Sequence, residues 1–178
     1  MTERNQQEHD AEIVDQFTKQ AIPFTELPGH SDSIQLLVEM SKVADNDLVL
    51  DVACGPGLVA CEFAKDTQHV TGIDLTERMI EQAKNLQKEL RLSNLSWDIG
   101  TASPLPYASA SFSAVLTRYC FHHFLDPKAV LKEMIRVCKP DGVVLIADAA
   151  LPADKVDAYN RMEKLRDPSH TAALSYES

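Results

Sequence analysis

The chain has 178 residues, of which 44% are hydrophobic and 25% are charged, and its formal net charge is −10. This length and composition predict one globular domain around a single core. The excess of acids over bases, 27 against 17, and the absence of clustered Lys or Arg argue against a nucleic-acid partner, because phosphate binding needs concentrated positive charge. No stretch of the sequence approaches the roughly 20 apolar residues of a membrane span.

Compartment and metal content are indicated by the N-terminus and the cysteines. The first residues are polar and lack the apolar segment of a secretory signal. The four cysteines, at positions 54, 61, 120 and 138, have no metal-type spacing and lie in or beside apolar segments. We therefore expect a cytoplasmic protein with buried, reduced thiols and no metal site. Zinc binding by Cys120 with the two histidines that follow is disfavoured, since no fourth ligand is in view.

Helical and strand-like segments alternate along the chain. One-sided apolar spacing predicts a first helix over about 9–21, and Ser31 or Asp32 is expected to cap a second. Short apolar runs predict five strands, at 48–53, 69–74, 95–99, 114–119 and 143–149. Helices are predicted over 58–65, from the cap Thr76 to about 90, from Asp126-Pro127 to 137, and over 153–166. This order predicts an α/β fold: a Rossmann-like, doubly wound, mainly parallel sheet with helices on both faces.

Ligands of such folds bind beyond the carboxyl ends of the strands. After the first strand, Gly55 and Gly57 allow close approach of the backbone to a ligand, and the carboxylate of Asp51 suits an amine or cation. After the second strand comes Asp74, 19 residues beyond Gly55, where an acid can accept both hydroxyls of a ribose. A solvated turn aspartate is the plainer interpretation of Asp74.

Two other functions fit parts of this pattern. Gly55, Gly57 and Ala60 satisfy the dinucleotide fingerprint G-x-G-x-x-G/A, and Asp74 would serve NAD equally well. Against an NAD-dependent oxidoreductase, the Asp51 carboxylate would repel a pyrophosphate, and no Tyr-x-x-x-Lys or comparable hydride-transfer motif follows. A third hypothesis is a module that binds a cofactor without catalysis.

Five motifs in order resemble those of class I S-adenosylmethionine-dependent methyltransferases. They are VLDVACGPG at 49–57, GIDLT at 72–76, LPY with SF at 105–112, HHFLDP at 122–127 and KPDG at 139–142. The resemblance covers residues 11–150 and is strongest to the ubiquinone/menaquinone-biosynthesis-like, small-molecule branch. It implies S-adenosylmethionine (SAM) as cofactor, S-adenosylhomocysteine as product, and direct methyl transfer to a small-molecule acceptor.

The resemblance also implies roles for individual residues. Asp51 and the loop from Gly55 to Gly57 would hold the methionine portion of SAM, and Asp74 its ribose. The remaining implied contacts are Leu75 and Met79 packing the adenine, Thr101 and Ala102 at the adenine edge, and Arg118 with Tyr119 beneath the methyl group. The family often has an acid where Thr101 stands, and an Asp where Ser113 stands, so adenine recognition and one structural hydrogen bond are expected to be weaker.

Catalytic candidates lie after the fourth strand. His122 and Tyr119 are the candidate catalytic residues. If the acceptor must lose a proton, His122 or His123 would act as the general base. The alternative is that both histidines cap and pack a helix start. Phe17 and Phe24 are expected either to form a lid or to pack in the core.

The sequence divides into an N-terminal helix and lid segment (1–30), a SAM-binding core (31–150) and a C-terminal helix and tail (151–178). The strand at 143–149 is apolar and is the last strand the sequence predicts, although an apolar edge strand is normally avoided. We therefore expect a truncated domain, in which this edge is exposed or is covered by the tail or by a second copy in a homodimer. The acceptor side of the site would then be open.

Overall fold

The computed structural model describes residues 5–25 and 34–176, with side chains in the first helix described as far as residue 19. Six helices are described: Gln6–Thr25 (α1), Ile34–Ser41 (α2), Leu58–Phe63 (α3), Glu77–Glu89 (α4), Pro127–Val137 (α5) and Ala153–Arg166 (α6). The strands are Leu48–Val52 (β1), His69–Asp74 (β2), Leu95–Ile99 (β3), Phe112–Arg118 (β4), Cys138–Ala147 (β5), Ala150–Leu151 (β6) and Leu174–Ser175 (β7). Within the described ranges no helix is both long and apolar enough to cross a membrane.

The main sheet has the strand order β3-β2-β1-β4-β5, and every neighbouring pair is parallel. This confirms the predicted α/β fold. The chain winds outward from β1 in one direction through β2 and β3, then crosses to β4 and β5 on the other side. The order thus reverses between β1 and β4, and a crevice opens at the carboxyl ends of these two strands.

Both faces of the sheet are covered, and β1 shows why. Its side chains alternate between faces, so Val49 belongs to one apolar cluster while Leu50 and Val52 belong to the other. All three are completely buried, and each contributes roughly 1.5–3 kcal/mol through the loss of apolar surface from water. A continuous apolar run is therefore required at the centre of this sheet.

The two predicted helix caps that can be compared behave differently. Asp126 caps α5 as predicted, because its Oδ1 accepts a hydrogen bond from the Ala129 N–H at 3.0 Å. Thr76 occupies the cap position of α4 but makes no side-chain capping bond. Instead the Thr76 N–H donates to Asp74 Oδ1 at 2.8 Å. The predicted caps of α2, Ser31 and Asp32, lie outside the described residues.

The last strands depart from the prediction. β5 begins at Cys138, so the predicted turn at 139–142 forms the irregular start of that strand. Only glycine fits at 142, because a Cβ there would lie 2.6 Å from the Ser113 carbonyl oxygen. Two further strands follow β5, forming the separate parallel pair β6-β7. Among the described strands, β5 pairs only with β4.

Candidate functional site

A cavity of about 220 Å³ lies at the carboxyl ends of β1, β2 and β4. Its walls come from the loops that follow these strands, from the loop after β3, and from α1, which covers one side. Most of the predicted site residues line it: Gly55, Asp74, Leu75, Met79, Thr101, Ala102, Arg118 and Tyr119. The switch point of the sheet therefore brings together residues that are far apart in sequence.

The backbone around this cavity adopts conformations that L-residues rarely use. Ala53 and Tyr119 both have φ of +55°, and Gly55 has φ of +52°. A Cβ added at Gly55 would meet no atom within 4 Å, so this glycine faces open space. Positive φ at non-glycine residues is costly and is concentrated at ligand sites, which marks the ends of β1 and β4 as functional.

Gly57 has a different function in the same loop. Its φ is +82°, and a Cβ there would lie 2.7 Å from the Trp97 ring and 2.8 Å from the Ala83 Cβ. The structure therefore gives Gly57 a packing contact, between the start of α3 and the neighbouring α4 and β3, rather than a place on the cavity wall.

Asp51 is the penultimate residue of β1 and is buried. It is 2% exposed, and its Oδ2 has no hydrogen-bond partner among the described residues. Burial raises the pKa of Asp51 to about 8, with a smaller contribution from nearby Asp74, whereas a hydrogen bond from the Ala60 backbone and the charge of Arg118 act in the opposite direction. A buried carboxyl oxygen without a partner is costly, so this position favours a ligand that donates to Oδ2.

Arg118 supplies the opposite charge at the end of β4. Its Nε and Nη2 are buried and have no partner in the described part of the chain. The guanidinium stacks over the Tyr119 ring, 4.5 Å from the ring centre, which fixes its plane. Arg118 lines the cavity, whereas Asp51 lies outside its lining. Together the two groups leave one acceptor oxygen and two donor nitrogens without partners among the described residues.

Asp74 ends β2 and is tied into the loops on either side. Its Oδ2 accepts the Gly55 N–H at 2.8 Å, and its Oδ1 accepts the Thr76 N–H at 2.8 Å. Burial raises the pKa of Asp74, while these two N–H groups oppose the rise. Each carboxylate oxygen can accept a second hydrogen bond, so Asp74 is a turn residue that can also bind hydroxyl groups.

The two adjacent histidines face different environments. His122 is outside the cavity lining: its Nδ1 is 2.6 Å from Asp148 Oδ1, and its N–H donates to Asp148 Oδ2 at 3.1 Å. Burial alone would raise the pKa of Asp148, but the hydrogen bond from His122 lowers it overall. His123, in contrast, lines the cavity, and its ring contacts Phe17 edge-on with centroids 5.1 Å apart. The geometry thus favours His123 over His122 at the site.

Helix α1 covers the cavity with five residues: Gln6, His9, Asp10, Ile13 and Phe17. His9 is completely buried, and its Nε2–H donates to the His123 carbonyl at 2.6 Å. The side chain of Phe24, the other predicted lid residue, lies outside the described residues. All four cysteines are free and buried. Within 5–25 and 34–176, no group of three or more His, Cys, Asp or Glu side chains is arranged to hold a metal ion.

Comparison with known proteins identifies the family. The sequence profile of a methyltransferase domain matches residues 50–146. The chain belongs to the methyltransferase-domain family. A Bacillus subtilis protein named uncharacterized methyltransferase YcgJ is 34% identical over 149 residues, which are 83% of this chain and 59% of that protein. The demethylmenaquinone methyltransferase of Lactobacillus johnsonii is 31% identical over 155 residues, covering 75% of this chain and 62% of that enzyme.

Solved structures agree with the sequence matches. The crystal structure of Bacillus subtilis YcgJ superposes with a TM-score of 0.79 at 33% identity, covering 83% of this chain and 64% of that one. A SAM-dependent methyltransferase from Aquifex aeolicus, at 21% identity, shares the fold with a TM-score of 0.65, covering 72% of this chain and 71% of that one. The predicted family and the Rossmann-like fold are thus confirmed. This methyltransferase domain spans about six-tenths of the first relatives it matches.

The two departures from the family motifs have structural outcomes in this methyltransferase domain. Ser113, where the family often has Asp, still accepts the Leu48 N–H on its Oγ at 3.1 Å, so the structural hydrogen bond is kept. Thr101 lies on the cavity wall, and its hydroxyl is 3.4 Å from the Pro104 carbonyl. Position 101 therefore offers a neutral hydroxyl, and not a carboxylate, at the expected adenine edge.

Sequence reasoning missed several residues of the site. Asp148 follows β5, and attention to the residue after each strand would have found it. His9 and Ile13 join the cavity only because α1 packs across the sheet end, and no local sequence signal indicates that long-range contact.

Proposed function

We propose that the protein transfers the methyl group of SAM to a small-molecule acceptor. The observation that carries this proposal concerns two groups at the ends of β1 and β4. Asp51 Oδ2 and Arg118 Nε and Nη2 are buried atoms without hydrogen-bond partners among the described residues. Arg118 lines the cavity and interacts electrostatically with Asp51 behind it. The amino-acid head of SAM is a zwitterion of matching chemistry. Its ammonium group would bind Asp51 and its carboxylate would bind Arg118 in a charge-assisted contact.

The rest of the cavity fits the nucleoside part of SAM. Gly55 leaves room for the chain that joins the head to the ribose, and Asp74 has acceptor capacity for both ribose hydroxyls. Leu75 and Met79 would pack the adenine ring, whose edge would meet Thr101 and Ala102. When bound, SAM supplies an activated methyl group on a sulfonium centre.

The acceptor side is supported by apolar walls. Ile13 and Phe17 from α1, together with Phe124 and Leu125 from the loop after β4, line the cavity. These side chains favour a small, largely apolar acceptor and exclude water from the reacting atoms. Tyr119 lies beside Arg118 at the base of the cavity, where its ring would help to orient the acceptor in line with the methyl group.

The test is release of S-adenosylhomocysteine by the full chain, supplied with SAM and a panel of small apolar acceptors. We expect product with at least one acceptor and none when NAD replaces SAM. Binding of SAM without release of product across the panel would favour the alternative of a non-catalytic binding module. Binding of NAD in preference to SAM would favour the oxidoreductase alternative.

We also propose a cytoplasmic location and a homodimer. The four free, buried cysteines support a reducing compartment. The edge of β5 that has no partner strand in the described ranges supports a second copy as its cover. Sedimentation of the full chain tests the dimer: a single monomeric species at micromolar concentration would contradict it.

A further inference from the structure

The segment that follows α6 folds back onto the acceptor-side wall of the cavity. The Thr171 N–H and Oγ1 both donate to the His122 carbonyl, at 2.7 and 2.6 Å, and Oγ1 also contacts the Phe124 carbonyl at 3.1 Å. Ser169 and His170 are buried by this docking, with 0% and 1% of their surface exposed. The C-terminal segment is therefore docked behind the residues that line the cavity rather than being a free tail.

A chain of three hydrogen-bonding groups runs from this segment to the cavity. Ser169 Oγ donates to Asp167 Oδ1 at 2.6 Å, so its single proton is committed to the carboxylate. The same oxygen lies 3.0 Å from His123 Nδ1 and must accept from it. His123 is consequently the Nδ1–H tautomer, with the lone pair on Nε2. His123 lines the cavity, and the side-chain hydrogen bond that its ring makes to Ser169 is through Nδ1.

The order of these groups decides what they can do. A nucleophilic serine needs a histidine to take its proton, whereas here the serine proton points to the carboxylate and the histidine donates to the serine. Ser169 is also completely buried, so no substrate reaches its hydroxyl. Ser169 therefore links His123 to Asp167 through two hydrogen bonds. The nitrogen of this hydrogen-bonded series that is left to react is His123 Nε2.

We propose that His123 is the base that accepts the proton of the methyl acceptor, and that Ser169 and Asp167 are positioning residues that fix its tautomer. This rests on the proposed function and narrows the acceptor to small neutral compounds with an O–H, N–H or S–H group. The acceptor heteroatom forms a bond to the methyl carbon as the carbon–sulfur bond breaks, and that electron pair stays on sulfur as neutral S-adenosylhomocysteine. The acceptor proton passes to His123 Nε2 and later to solvent.

The groups around His123 keep its ring neutral. His122 faces the ring from its own turn, and Asp167 and His170 face it from the C-terminal segment, while His9 of α1 contacts the His123 carbonyl. Burial first, and His122 second, lower the pKa of His123 to about 4, while Asp167 acts to raise it. The ring is therefore neutral at physiological pH, and the cation formed during reaction is stabilised by Asp167 through Ser169.

Imidazole NMR of the full chain with SAM bound tests the tautomer independently of activity. At pH 7 we expect His123 to be neutral and protonated on Nδ1, with its signals assigned by their loss in His123→Asn. Ser169→Ala should move the population toward the Nε2–H form, and Ser169→Thr should restore the original tautomer. A charged ring or an Nε2–H tautomer in the unmodified protein would overturn the proposal.

Turnover with phenol, thiophenol and aniline as acceptors tests the base. For His123→Ala we expect SAM affinity within about threefold and a fall in kcat of about 100-fold or more, partly restored by added imidazole. The matched control is His69→Ala. His69 lies at the amino end of β2 beside Ser96, away from the cavity, so this variant should keep kcat. Unchanged kcat in His123→Ala, or no product from any of the three acceptors with SAM bound, would overturn the inference. Failure of the unmodified protein to bind SAM would instead contradict the proposed function.

Discussion

At the scale of single residues, Asp74 has a structural role, and we propose that it also binds the ribose of SAM. Its two oxygens hold the backbone of Gly55 and Thr76 and keep capacity for a ribose. We expect Asp74→Ala to weaken SAM binding about 10- to 1000-fold, since each charge-assisted hydrogen bond is worth roughly 1.5–3 kcal/mol. Calorimetric titration measures the affinity, and circular dichroism checks the fold. A dissociation constant within about threefold of the unmodified value would remove Asp74 from the site.

Substitutions at the two glycines of the loop after β1 should have different effects on SAM affinity and on the free energy of unfolding. Gly55→Val places a side chain in the open cavity at φ +52°, so we expect loss of SAM binding with a smaller change in the free energy of unfolding. Gly57→Ala meets Trp97 and Ala83, and overpacking of this kind typically costs about 1–3 kcal/mol. Urea unfolding and SAM titration of both variants give the comparison. The reverse pattern would show that Gly57 is the loop residue against the cofactor.

The raised pKa of Asp51 predicts a proton linked to SAM binding. Without ligand the carboxyl is protonated up to a pKa of about 8, whereas an ammonium group beside it favours the ionised form. Binding at pH 7 should therefore release protons, as measured by calorimetry in buffers of different ionisation enthalpy. Asp51→Asn should abolish the release, and an equal release in that variant would assign the proton elsewhere.

The same group makes the stability of the ligand-free protein depend on pH. The folded pKa of Asp51 lies above the unfolded value of about 4, so the folded state binds the extra proton between these limits. Its contribution to the free energy of unfolding is full below pH 4 and is lost as the pH rises toward 8. Denaturant midpoints of Asp51→Asn should fall less over this range than those of the unmodified protein.

At the scale of elements, α1 is the part of the site that we expect to move. It is anchored beside the cavity by the hydrogen bond from His9 to the His123 carbonyl and by the contact of Phe17 with the His123 ring. Loss of one buried hydrogen bond in His9→Ala should speed SAM dissociation about 2- to 10-fold. Hydrogen exchange over residues 6–19 should slow on SAM binding in the unmodified protein.

The control for α1 is Lys19→Ala, which removes only the exposed ion pair with Asp15. It should leave both SAM dissociation and hydrogen exchange unchanged. If SAM does not slow exchange in α1, this helix is a fixed wall of the cavity and not a lid.

Elements with strong local signals were predictable, and long-range features were not. The apolar runs of β1 and β2 and the Asp126-Pro127 start of α5 were identified because burial and capping act locally. The start of β5 was missed because Lys139, Pro140 and Gly142 look like a turn, while pairing with β4 continues the strand through an irregularity.

The site residues, too, fall into those that a local signal predicts and those that only long-range contacts reveal. Residues directly after strands, such as Gly55 and Asp74, were predicted because the fold class places them at one edge. The preference for His123 over His122 depends on Ser169 and Asp148, which lie 46 and 26 residues away in sequence. No periodicity or motif reports such contacts.

At the scale of the whole molecule, the sheet topology explains why an acidic and a basic group lie close together beside the cavity. The sheet order places β1 and β4 side by side, so that Asp51 and Arg118 approach each other from strands that are distant in sequence. The acidic surface, with a net charge of −10, opposes large polyanionic substrates. Architecture and charge thus agree on a small, zwitterionic cofactor and a small acceptor.

Calorimetric titration of the full chain with SAM, and in parallel with NAD, tests the central claim most directly. In the proposed site, SAM would present an ammonium to Asp51 and a carboxylate to Arg118, whereas NAD would bring its pyrophosphate against the Asp51 carboxylate. We predict saturable one-to-one binding of SAM, weakened in Asp51→Asn and in Arg118→Gln, and no saturable binding of NAD. Binding of NAD tighter than SAM, or SAM affinity unchanged in both variants, would contradict the account.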